Sequence, residues 1–130
     1  MGRKFKTVYR DVVVGLVADV EVDGVEFRCR ATFPRRTIYR GFRVATPAAR
    51  NYVVTSVKVC GVETLLGIQA AVLFTEVFEP PPAMVVVPRG GAVDVGVVRT
   101  GGLRIPFVAS VAGMEVSPRR GAGKRRVARA

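Results

Sequence analysis

The 130 residues predict an all-β protein: a two-sheet antiparallel sandwich or jelly roll of seven or eight short strands, with basic terminal arms. Three observations carry this expectation. Valine dominates the apolar residues, in runs such as Val12-Val13-Val14 and Val85-Val86-Val87, and β-branched side chains fit a pleated surface better than a helix. Fourteen Gly and eight Pro cut these runs into short pieces, as in many strands joined by turns. The chain is 49% hydrophobic, enough for a buried core, and its length suits one domain.

The elements follow in order. Residues 5–16 hold a first strand ending near Gly15. Asp23-Gly24 lies between two alternating segments, the strongest local hairpin cue. A two-residue turn there pairs Val22 with Val25, Val20 with Phe27 and Ala18 with Cys29 on an apolar face, and puts Glu21, Glu26, Asp19 and Arg28 on the other. Thr37 to Val44 is the next strand, closed by Thr46-Pro47. Tyr52 to Cys60 alternates less cleanly, as a strand buried on both faces does, and stops at Gly61. Residues 62–78 form either a short helix or a strand within a long connection. Glu79-Pro80-Pro81-Pro82 is a loop, since three prolines cannot donate to a ladder. Met84 to Val87, the turn Pro88-Arg89-Gly90-Gly91 and a strand from Val93 to Arg99 come next. After the turn Thr100-Gly101-Gly102, a closing strand runs from Leu103 to Val111 or beyond. It keeps Leu103, Ile105, Phe107, Ala109 and Val111 on one face, and Pro106 makes it an edge or a bulged strand. The domain organisation expected is a basic N-terminal arm (1–10), the β-sandwich (11–116) and a basic C-terminal tail (117–130).

Several function classes are disfavoured. The chain has no histidine, which removes the usual general base, the His-dependent nucleophilic triads and the commonest metal ligand. No catalytic, cofactor-binding or metal-binding residues are assigned, and no cofactor or small-molecule substrate is expected. Asp19, Glu21, Asp23 and Glu26 cluster as one hairpin face, where pairing with Arg28 and Arg30 competes with holding a divalent ion. Cys29 and Cys60 are either two buried thiols or a disulfide. No apolar stretch approaches the roughly 20 residues of a membrane span, and no secretory signal pattern is present, so the chain is expected in a cytoplasm or in a particle assembled there.

Charge points to a partner. Lys+Arg number 21 against 10 Asp+Glu, a net +11, and so large a surplus repels itself unless an anion neutralises it. The cations concentrate in three places. The arm carries Arg3, Lys4, Lys6 and Arg10, and the tail carries Arg119, Arg120, Lys124, Arg125, Arg126 and Arg129 without an acid. Both are expected to contact nucleic acid without sequence choice, or a partner protein. The middle block includes Arg35, Arg36, Arg40 and Arg43, which together with Pro80, Pro81 and Pro82 form a candidate subunit interface. Phe27, Phe33, Tyr39, Phe42 and Tyr52 are interleaved with its arginines, either as bases' stacking partners or as core aromatics.

The strand Val53-Val54-Thr55-Ser56-Val57-Lys58-Val59 with its Gly61 stop and the long loop ending near Phe78 are followed by Pro88-Arg89-Gly90-Gly91 leading into Val93-Asp94-Val95-Gly96-Val97-Val98. With the closing Ile105-Pro106-Phe107-Val108-Ala109-Ser110-Val111-Ala112-Gly113, this stretch (52–114) resembles the second half of small single jelly-roll virion structural proteins of phages and other viruses. The resemblance implies a capsid or capsid-decorating subunit with no active site, self-assembling with copies of itself or other virion proteins. The alternative from the residues alone is a cellular RNA-binding, ribosome-associated small β-barrel protein in the cytoplasm. An enzyme on the same scaffold would have to rely on Asp94 or Glu76.

Overall fold

The valine runs and the turn residues between them resolve into ten strands in the computed structural model, which describes residues 5–18, 24–75, 78, 84–101 and 105–120. The strands are β1 (Phe5–Gly15), β2 (Val17–Ala18), β3 (Phe27–Thr32), β4 (Thr37–Val44), β5 (Tyr52–Val59), β6 (Val62–Glu63), β7 (Gln69–Ala70), β8 (Val86–Val87), β9 (Ala92–Arg99) and β10 (Ala109–Arg120), with 3-10 turns at Ala49–Asn51 and Ala71–Phe74. Among the described residues there is no α-helix, hence none long and apolar enough to cross a membrane.

Two antiparallel sheets pack face to face, so the fold is the expected β-sandwich. The first sheet has the order β1-β10-β4-β8 and the second β2-β3-β9-β5-β6, with β7 also on β5. Four of the pairings are nested along the chain: β1 with β10, β3 with β9, β4 with β8 and β5 with β6. Two further ladders, β10–β4 and β9–β5, close the sheets around this nest.

Side chains from both inner faces fill the core. Val54, Val57, Val59, Val93, Val95 and Val97 of the second sheet face Phe42, Val44, Val87 and Val111 of the first. Tyr52 lies against Phe107 (ring centroids 5.1 Å apart) and, edge-on, against Phe27 (6.3 Å). Phe74 of the second 3-10 turn packs at a tilt against Phe42, with ring centroids 5.2 Å apart. Gly113 is needed where β10 passes Phe33 and Thr37: a Cβ there would overlap the Thr37 methyl and lie 3.3 Å from the Phe33 ring. All five aromatics interleaved with the middle arginines are buried, so the core reading of that block is the one found and none is available to stack on a base.

Several expectations hold, with instructive departures. The hairpin register is as expected for the pairs described, Val17 with Arg30 and Ala18 with Cys29, whereas Asp19–Asp23 lie outside the described residues. Val25, expected on the apolar face, is 55% exposed. β5 is buried on one face rather than two. Its pairing with β9 slips between Val54 and Ser56, so the inward set changes from Tyr52 and Val54 to Val57 and Val59, and a bulge mimics a doubly buried pattern. β4 does the same at Arg40-Gly41 opposite Ala112 and Gly113. Residues 62–74 form neither the helix nor the single strand considered, but two short strands and a 3-10 turn. The closing strand begins at Ala109, not Leu103, and runs on to Arg120. Cys29 and Cys60 are not joined in a disulfide, and of the two only Cys29 is buried. Cys60 (φ 53°) and Gly61 (φ 83°) form the two-residue turn joining β5 to β6, the left-handed pair that matches strand twist.

Candidate nucleic-acid interface

The central strand of the first sheet outruns its neighbour. β4 accompanies β10 only as far as the pair Glu115–Thr37. Beyond that point β10 continues for five residues paired with β1, setting Arg119 opposite Lys6 and Arg120 opposite Phe5. Residues 5–8 of the expected N-terminal arm and 117–120 of the expected tail are therefore partners in one ladder. Arg35 and Arg36 arrive at the same place from the loop before β4: the Arg36 carbonyl accepts from the Val116 N–H at 2.9 Å, and the Arg35 carbonyl accepts from the Thr37 hydroxyl at 2.7 Å. Both arginine side chains are exposed.

Three segments that are far apart in sequence are thus brought by backbone pairing to one end of one sheet: the positions of Lys6 and Arg10, of Arg35 and Arg36, and of Arg119 and Arg120. Arg10 differs from the rest. It occupies the inward row Arg10–Glu115–Thr37–Val87 and pairs with the Glu115 carboxylate at 3.3 Å, with 7% of the Glu115 side chain exposed and 72% of its own. A carboxylate that far from water requires a partner, so Arg10 has a structural task before any contact with an anion. Arg3, Lys4, Lys124, Arg125, Arg126 and Arg129 lie outside the described residues, as do Pro80, Pro81 and Pro82 of the candidate subunit interface. Arg40 sits exposed in the β4 bulge, and Arg43 points outward, donating from Nε to the Thr75 carbonyl at 3.2 Å.

The second sheet carries charge of a different kind. A row across β3, β9, β5 and β6 reads Arg30, Asp94, Lys58, Glu63, alternating in sign, with Arg30 Nε 2.7 Å from the Asp94 carboxylate. Asp94, the described member of the possible enzymatic acids, is held in this ion pair; Glu76 lies outside the described residues. Glu63 accepts from the Ser56 hydroxyl at 2.5 Å and from the Val57 and Leu65 N–H groups at 2.7 and 3.2 Å. Partial burial works to raise its pKa, but these hydrogen bonds and the Lys58 charge prevail and hold it below the usual carboxylate range. Glu26 crosses β9 over Gly96 to accept from the Thr55 hydroxyl, in space that a Cβ at 96 would take, 2.9 Å from the Glu26 carboxylate. Arg28, Arg30 and Lys58 are matched on this face by Glu26, Asp94 and Glu63.

Backbone pairing thus brings residues 5–10, Arg35–Arg36 and residues 117–120 to the β1–β10 end of the first sheet, while Arg40 and Arg43 lie exposed farther along β4; clustered cations of this kind suit phosphate contact without base readout. Sequence reasoning found the component segments but not their convergence, which depends on the long-range β1–β10 register. No family model matches the chain, and neither a curated protein nor a solved structure matches it significantly.

Proposed function

We propose that this protein is a virion structural subunit, a capsid or capsid-decorating protein that assembles with copies of itself and holds packaged nucleic acid through its basic sheet end. The observation that carries the reading is the nested pairing of eight strands, β1–β10, β3–β9, β4–β8 and β5–β6, closed into two sheets of order β1-β10-β4-β8 and β3-β9-β5-β6. One long hairpin rolled so that its strands alternate between two sheets is a jelly roll, an architecture used for shells and for lectin-type and cupin binding domains. A chain without histidine lacks the imidazoles that the metal-binding versions use to hold their ion. A net charge of +11 suits a shell protein facing nucleic acid. Many weak contacts, repeated by symmetry, suffice to hold such an assembly.

The test is electron microscopy and light scattering of the nuclease-treated full chain, at low and high salt, with and without an RNA of arbitrary sequence. Uniform closed particles at low salt, losing order at high salt, are expected. A monomer at every salt that binds RNA without forming particles would instead support the ribosome-associated alternative.

A further inference from the structure

We infer that the outer face of the first sheet is a self-association surface, on which a second copy of this chain packs face to face about a two-fold axis running along β10. The inference rests on the assembly reading above and adds the surface and its geometry. A sandwich sheet needs one apolar face, turned to the core, and the second sheet obeys this with its paired charges outside. The first sheet carries apolar side chains on its outward face as well. Its outward rows, read across the ladders, are Tyr9–Val116, then Asp11–Met114–Ile38–Val86 across all four strands, then Val13–Ala112. Tyr9 and Val13 are 57% and 62% exposed. A contiguous apolar face of this kind marks an interaction site.

Charge placement identifies the occupant as a copy of the same chain. The outward face carries Asp11 on β1, at one side of β10, and Arg40 and Arg43 on β4, at the other. Neither Asp11 nor Arg40 has an ion-pair partner among the described residues. A two-fold axis along β10, lying in the contact plane, exchanges the sides of the sheet and preserves height along the strands, so β1 of each copy lies over β4 of the other. Asp11 shares its row with Ile38, two residues from Arg40, or about 7 Å along a strand, within reach of an arginine side chain. The operation is isologous, so both Asp11–Arg40 pairs form together. Ala112 and Met114 lie on the axis, where the small Ala112 side chain permits the roughly 10 Å spacing of stacked sheets. Three strands over some seven residues project an area on the order of 350 Å², short of the roughly 800 Å² per partner of a stand-alone complex. The contact is accordingly weak alone and effective when repeated in a shell.

The experiment is a charge swap in the full chain, read by sedimentation equilibrium up to millimolar concentration, with thermal melts confirming that each variant folds. Asp11→Arg and Arg40→Asp each weaken self-association about tenfold, because each converts two symmetric attractions into repulsions, and the double variant returns to within about twofold of the parent. Val13→Glu, an exposed site independent of the ion pairs, weakens it as well. Singles that associate like the parent, or a double no better than the singles, overturn the proposed face. If Asp11→Arg still forms normal particles, the face fails while the assembly reading stands; if the parent chain never associates, the assembly reading itself fails.

Discussion

Tyr52→Ala lowers the free energy of unfolding by about 3–5 kcal/mol, the cost of emptying a large aromatic site in a core that cannot fully collapse. Tyr52 is completely buried at the start of β5, and its ring touches Phe107 and Phe27 from two sides. Its hydroxyl donates to the Ile105 carbonyl at 2.5 Å, so one side chain links β5, β3 and the segment leading into β10. Tyr52→Phe separates the two contributions: it keeps the ring, and its cost is about 1 kcal/mol for the lost hydrogen bond. Equilibrium denaturation followed by circular dichroism measures both. A domain of this size is stable by only about 6–20 kcal/mol, so the alanine variant loses a large share of the total. An alanine variant within 1 kcal/mol of the parent would contradict the packing described.

Arg10→Met costs about 1–3 kcal/mol, although Arg10 is largely exposed, because it leaves the buried Glu115 carboxylate without its ion-pair partner. The diagnostic is the double variant Arg10→Met/Glu115→Leu. Replacing both members of a buried pair by apolar groups is commonly near neutral, so the double melts above the Arg10→Met single. A single with the melting temperature of the parent would mean that Arg10 is simply one more cation of the basic end. The comparison matters for function because Arg10 lies among the residues expected to meet nucleic acid.

What the sequence reveals here follows the range of the forces involved. The Val17–Arg30 and Ala18–Cys29 register could be read in advance because a two-residue turn and strict alternation determine it locally. β4 was readable from end to end for a similar reason, bounded by Thr37 and the Thr46-Pro47 turn. The bulges at Thr55 and Arg40-Gly41 were not, because each changes which residues face inward without altering the apolar composition of its strand. The reach of β10 to Arg120 was hidden by Pro118 and the arginines after it, which resemble the start of a tail; the ladder with β1 keeps this segment extended. The same long-range pairing unites the basic segments. The apolar outer face had a visible trace in Val12-Val13-Val14, since three consecutive valines on a strand must place one on the face opposite the other two. Which face meets the core becomes evident only once Val12 and Val14 are seen packed against it.

The most direct test of the central claim, that this small sandwich is an assembling subunit, is sedimentation velocity of the nucleic-acid-free chain across a concentration range from micromolar to millimolar. An assembling subunit gives a boundary that moves to larger species as concentration rises and returns on dilution. A single 14.0 kDa species at every concentration and salt would contradict it.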